Sequence, residues 1–210
     1  MIKVILVDDH AVVRAGYRML LQNSAHIEIV AEAATGEQAC RACAENRVDV
    51  VVMDLSLPGI GGLEAIRRIV ARDGNAKILV FSMHENTIFA KQALSAGAKG
   101  YITKSSAPDV LIKAIREIAG GGLYLDAEIA KHLAFQNARD QKTPFSGLSS
   151  REFEIFCLLA EGLNTSQIAK RLSLSYKTVA NYTTQIKSKL NVNTMAELTR
   201  LAISHDIVQV

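Results

Sequence analysis

The 210-residue chain has no apolar run long enough to cross a membrane; its longest, Val4 to Val7 and Val50 to Met53, fall far short of the ~18 residues a span needs. Asp8 and Asp9 interrupt the N-terminus before a signal-peptide core can form, so the expectation is a cytoplasmic protein. Only three cysteines occur, Cys40, Cys43 and Cys157, a small and odd number that supports no disulfide framework and fits a reducing compartment. Cys40 and Cys43 do form a C-x-x-C pair, but it sits in a helical stretch from Glu37 to Glu45. No second such pair and no nearby histidine completes a four-ligand zinc site, so the pair reads as small apolar packing. Internal repeats and low-complexity tracts are also absent. With 49% hydrophobic and 21% charged residues the chain is no disordered segment, and its length accommodates two modest domains, each with its own core.

Charge of either sign is scarce on average, with a formal net of +3, but its distribution is uneven. Residues 1–138 hold 15 basic and 15 acidic side chains, and residues 139–210 hold 9 and 6, so the whole excess lies in the last third. Between Leu163 and Arg200 stand Lys170, Arg171, Lys177, Lys187, Lys189 and Arg200 against a single acid, Glu197. That is the footprint either of a surface for a polyanion such as nucleic acid or of a solvated helix face, which shows the same local excess.

Aliphatic runs at Ile2 to Val7, Ile27 to Ala33, Asp49 to Met53, Lys77 to Ser82 and Gly100 to Thr103 alternate with helical patterns, the signature of a doubly wound α/β domain with a five-stranded parallel sheet. Ligands of such sheets bind beyond the carboxyl ends of the strands. There the sequence places Asp8 and Asp9 after the first run, Asp54 after the third, Ser82 at the end of the fourth and Lys104 after the fifth. Three carboxylates repel one another unless a hard divalent cation sits among them, and Mg²⁺ suits oxygen donors that leave room for water and an anionic substrate oxygen. Lys104 and Ser82 then suit the oxygens of a phosphoryl group.

The set Asp8-Asp9, Asp54-Leu55-Ser56-Leu57-Pro58 with Gly62, Ser82, and Tyr101-Ile102-Thr103-Lys104 resembles the receiver domain of two-component response regulators over residues 1–122. The resemblance implies a CheY-like sheet of order 2-1-3-4-5, with Asp54 as phospho-acceptor and Mg²⁺ held by Asp8, Asp9, Asp54 and the backbone carbonyl of Ser56. It also implies phosphoryl contacts from Ser82 and Lys104, and a Tyr101 rotamer that follows Ser82. The rival is an aspartyl-phosphate hydrolase, which uses the same nucleophile and metal but places a second acid two residues on as its proton-transfer group. That position is Ser56 here, which favours a slow switch over an enzyme.

Residues 123–145 read as a linker: Gly120, Gly121 and Gly122 end the last helix of the first domain, and a polar run from Gln136 to Pro144 reads as a tether. Beyond it, Ser149-x-x-Glu152, Asn164-x-x-Gln167 and Thr194-x-x-Glu197 announce helix starts, and Ser175 precedes a further helical run. Four helices follow, the second and third separated only by Ser173-Leu174-Ser175, as in a helix-turn-helix. On a helix from Tyr176 to Leu190, at ~100° per residue, Val179, Ile186, Leu190 and Thr183 share one face. Lys177, Asn181, Thr184 and Ser188 share the other, and no acid occurs in the helix.

Leu148-Ser149-x-Arg151-Glu152, Leu159-Ala160-Glu161-Gly162, Ile168-Ala169-Lys170-x-Leu172, Ser175-x-Lys177-Thr178-Val179 and Lys189-Leu190 are similar to the LuxR-type DNA-binding domain, over residues 146–210. Joined to a receiver, this resembles the NarL/FixJ family of response regulators. The tail from Glu197 to Ile203 is most similar to the branch of global regulators that includes GacA and UvrY. The resemblance implies a transcription regulator, dimeric on phosphorylation by a sensor histidine kinase. Ala180, Asn181 and Thr184 then face bases, with Lys177, Thr178 and Lys187 also at the DNA. Asn181-Tyr182 and Ala180 depart from residues frequent at those positions, so the target sequence does not carry over.

Overall fold

Near-continuous β-branched runs have one good solution, burial on both faces in a parallel sheet, and the computed structural model, described for residues 1–24, 26–138 and 143–208, follows it. The chain forms two compact units, Met1–Gln136 and Asn137–Val210. In the first, β1 (Ile2–Val7), β2 (Ile27–Ala33), β3 (Val50–Met53), β4 (Ile78–Ser82) and β5 (Gly100–Thr103) alternate with α1 (Ala11–Gln22), α2 (Gly36–Glu45), α3 (Gly62–Arg72), α4 (Thr87–Ser95) and α5 (Pro108–Ala119). All strand pairs are parallel. Val4, Leu6, Val50, Val52, Leu79, Phe81 and Ile102 pack with Leu21 of α1 and with Leu111, Ala114, Ile115 and Ile118 of α5. The alternate residues Ile5, Val7, Val51, Met53, Ile78, Val80 and Tyr101 are equally buried on the opposite face.

The expected order 2-1-3-4-5 holds, and a sixth strand, β6 (Tyr124–Leu125), extends it beyond β5. These residues belong to the segment read as linker, where two residues are too few to display a strand period. Gly100 makes room for them, because a Cβ there would lie 2.6 Å from the Tyr124 carbonyl oxygen. The following α6 (Ala127–Ala138) buries Ile129 and Leu133. Within the polar run read as a tether, residues 139–142 lie outside the described residues.

In the second unit, a 3₁₀ turn (Pro144–Gly147) precedes α7 (Ser150–Ala160), α8 (Thr165–Arg171), α9 (Tyr176–Leu190) and α10 (Met195–Ser204). Each expected start signal is used. Ser149 with Glu152, Asn164 with Gln167, and Thr194 with Glu197 form reciprocal capping boxes, and Ser175 caps α9. Phe145, Phe153 and Phe156, all fully buried, form the aromatic centre of this small core.

Candidate functional site

The chain order of the sheet reverses between β1 and β3, so the residues that follow these two strands flank the crevice where open α/β sheets bind ligands. Asp8 and Asp54 stand there, each 3% exposed. Lys104, just after β5, joins them: its Nζ lies 2.6 Å from Asp8 Oδ2 and 2.8 Å from Asp54 Oδ2. Burial works against the Lys104 charge, but the two carboxylates outweigh it and raise its pKa above the usual lysine value. Asp54 Oδ1 accepts from the backbone N–H groups of Leu55, at 2.7 Å, and Ser56, at 3.4 Å. Gly62 lets the chain pass this point, since a Cβ there would sit 2.2 Å from the Asp54 carbonyl oxygen.

Asp9 completes the acid set from a more open position, its side chain 31% exposed. Three carboxylates against the one Lys104 ammonium leave two negative charges uncompensated, the charge of one divalent cation. The donors are oxygens, which suits a hard cation. Among the described residues the one grouping of acids, histidines or cysteines close enough to hold a metal is Asp8, Asp9 and His10. His10 is a neighbour the sequence reading did not single out, with Nδ1 2.8 Å from Asp9 Oδ1. Arg14 is another: it donates to the Asp8 carbonyl at 2.6 Å and to Glu32 at 3.3 Å, bracing the loop that carries the acids.

Ser82 and Tyr101 are both fully buried. Burial pushes the Tyr101 phenol up, with a hydrogen bond to Ser82 working the other way, and its hydroxyl donates to the His84 carbonyl at 2.7 Å. His84 therefore enters the site, although nothing in the sequence pattern marked it. Burial lowers its pKa, while Asp54 raises it and Lys104 lowers it further. Cys40 and Cys43 stand apart from this edge, on α2. Burial holds the Cys43 thiol up at about 12, so it stays protonated and is a poor metal ligand.

In the second unit α9 buries Val179 and Ile186 and exposes Lys177, Asn181, Thr184 and Ser188, the division expected from the helical period. Thr178, Ala180 and Lys187 are half-buried. Three of the candidate DNA contacts already have local partners: the Thr178 hydroxyl lies 2.7 Å from Ser175 Oγ, the Thr184 hydroxyl donates to the Ala180 carbonyl at 3.1 Å, and Lys187 donates to the Asn193 carbonyl at 3.2 Å. Lys189, counted in the basic footprint, is instead a structural cation, 2.6 Å from the buried Glu152. Burial would raise the Glu152 carboxyl, yet Lys189 and the Ser149 cap hold it below the usual range.

A buried acid-lysine cluster at the switch point of one unit, and a short helix pair presenting an acid-free face in the other, define a receiver joined to a helix-turn-helix. Residues 4–116 match the response regulator receiver domain, and residues 146–202 match the bacterial regulatory proteins of the luxR family. The chain is 42% identical to the response regulator UvrY of Escherichia coli K12 over 209 residues, covering 99% of this chain and 96% of UvrY. It is 37% identical over 210 residues to the response regulator GacA of Pseudomonas aeruginosa PAO1, covering 99% and 98%. RcsB of Salmonella enterica serovar Typhimurium, solved bound to promoter P1flhDC with the phosphomimetic BeF₃⁻, is 26% identical with a TM-score of 0.72, covering 97% of this chain and 98% of RcsB. A further structure holds two RcsB dimers on two parallel DNAs. The chain belongs to the two-component response regulators with a LuxR-type DNA-binding domain, a family of transcription regulators and not of enzymes. Among the described residues, no helix is long and apolar enough to cross a membrane.

Proposed function

We propose that Asp54 accepts a phosphoryl group from a sensor histidine kinase, in the cytoplasm, and that the modified chain dimerises and reads paired half-sites on DNA. The observation that carries this reading is the Lys104 ammonium shared between Asp8 and Asp54. It is a fixed positive charge beside a buried carboxylate, positioned to hold phosphoryl oxygens as they arrive. Asp8 and Asp9, with Asp54 and the Ser56 carbonyl, would hold Mg²⁺, which when bound would supply positive charge for the phosphoryl oxygens. Ser82 contacts the phosphoryl group, and Tyr101 follows Ser82. RcsB, bound to DNA as dimers, supports the same mode for this chain.

Relief of the excess negative charge couples the metal to stability. Millimolar Mg²⁺ is expected to raise the melting temperature of the chain, and Asp9→Asn to remove most of the rise. A wild-type melting curve that ignores Mg²⁺ would refute the metal site.

On α9, the side chains of Lys177 and Asn181 are exposed and make no hydrogen bond or ion pair among the described residues, so both are available to DNA; Ala180 faces it beside them, and Thr178, Thr184 and Lys187 reach it by exchanging their local hydrogen bonds. Asn181→Ala is expected to lose about 1–3 kcal/mol of discrimination at one base pair per half-site, with non-specific binding little changed. Lys177→Ala should weaken all DNA binding and flatten the salt dependence by about one unit per protomer. Selection from a random DNA pool, followed by salt titrations, measures both. Unaltered base preference in the first variant together with an unaltered salt slope in the second would make this face ordinary solvated surface.

A further inference from the structure

Asp54 follows the carboxyl end of β3, and at the opposite end of that strand a cavity of about 380 Å³ lies among α2, α3 and the loop before β4. A change in side-chain size along α2 accounts for it. At Gly36 the two helices are in contact, since a Cβ there would lie 3.2 Å from that of Ala65. Further along α2 stand Cys40 and Cys43, whose thiols are too small to fill the space toward Ile69. The floor is Val51 with Ile69, both buried, and the half-buried Val48 and Ala76 continue the apolar wall. The charged groups at the mouth are unequally engaged. Asp49 accepts from the Lys3 N–H at 2.7 Å and Asp73 from the Asn75 N–H at 3.0 Å, while Arg68 is held by Glu64 at 2.8 Å. Lys77 donates to the Ala119 carbonyl, a neutral partner. Arg72, exposed in the last turn of α3, makes no hydrogen bond or ion pair among the described residues.

We propose that this cavity is a binding site for a small amphipathic carboxylate, its apolar body against Val51, Ile69 and Cys43 and its charge on Arg72 and Lys77. Small-molecule sites are concave, of roughly 300–1,000 Å³, mostly apolar, with a few polar groups that fix orientation, and this cavity has each of those properties. The apolar body supplies the affinity by leaving water for the floor. The cations supply the selection. Arg72 and Lys77 are paired with no carboxylate among the described residues, so an incoming anion displaces no existing ion pair. A cation of the same shape meets both of them, and the two acids at the mouth already accept backbone N–H groups. The site stands at the far end of β3 from Asp54 and is independent of the role of that residue.

The test titrates the full chain with naphthoate and follows methyl resonances by nuclear magnetic resonance. Millimolar naphthoate should shift the methyls of Val48, Val51 and Ile69 saturably, while those of Ile168 and Ile186 in the second unit stay in place. Naphthylmethylammonium, the same body with the opposite charge, should bind several-fold more weakly. Arg72→Ala should raise the naphthoate Kd about fivefold, the worth of one ion pair at an exposed position, and Arg72→Lys should recover most of the loss. Cys43→Leu fills the cavity from α2 and should abolish the shifts at Val51 and Ile69 with the melting temperature at or above that of the wild type. If that variant melts early, Ala76→Leu makes the same block from the loop before β4. Shifts that never saturate or that spread equally to the second unit would reduce the effect to non-specific partition and overturn the site. Equal affinity for the ammonium, or an unchanged Kd in Arg72→Ala, would overturn the assignment of a carboxylate ligand. Undiminished binding in a folded cavity-filled variant would place the ligand elsewhere.

Discussion

Asp54→Asn is expected to take up no phosphoryl group from acetyl phosphate and Mg²⁺, and to show none of the shift toward dimer that labelling is expected to cause in the wild type. An amide oxygen is a far weaker nucleophile than a carboxylate, and the substitution also removes one of the two acids that hold Lys104. The fold should survive. Asp8 still accepts from Lys104 at 2.6 Å, and the loss of one of three clustered carboxylates relieves repulsion, so the melting temperature should not fall. Intact-mass measurement reports the label and sedimentation reports the dimer. Stoichiometric labelling of this variant at another residue would remove Asp54 from its role.

The sheet and its acids were legible because each strand is an apolar run that ends abruptly in a polar residue, and a doubly wound topology gathers those ends at one edge. The helix starts of the second unit were legible through their capping pairs, three of which close reciprocally. Contacts between residues distant in sequence were not. His84 meets Ser56 across 28 positions, and Lys189 meets Glu152 across 37, and no local period encodes either meeting. The second case changes the charge argument: a lysine counted toward a polyanion surface is paired, though itself exposed, with the buried Glu152, so the uncompensated positive charge is smaller than the sequence total implies. Likewise β6 is two residues long, below the length at which alternation is visible, and only the space left by Gly100 makes its pairing possible.

The helix-turn-helix unit depends on an aromatic core of three phenylalanines, and Phe153→Ala should cost it about 3–5 kcal/mol. Phe153 is fully buried, with its ring 6.1 Å from that of Phe145 and 6.2 Å from that of Phe156, so the substitution removes one of the three rings of the cluster. It lies next to Glu152, whose cap and ion pair to Lys189 join the start of α7 to α9; loosening α7 therefore loosens the support of α9. A unit of this size holds roughly 4–11 kcal/mol in total, at ~0.05–0.15 kcal/mol per residue, so a loss of this order leaves it marginal. Amide hydrogen exchange on the full chain should show protection falling throughout α7 to α10, with DNA affinity falling in parallel. Phe153→Leu retains most of the apolar volume and should lose roughly half as much or less. Lys177→Ala, at an exposed position, should weaken DNA binding with protection unchanged, which separates loss of contact from loss of fold. Wild-type exchange rates in Phe153→Ala would mean that α9 is held in place without the aromatic cluster.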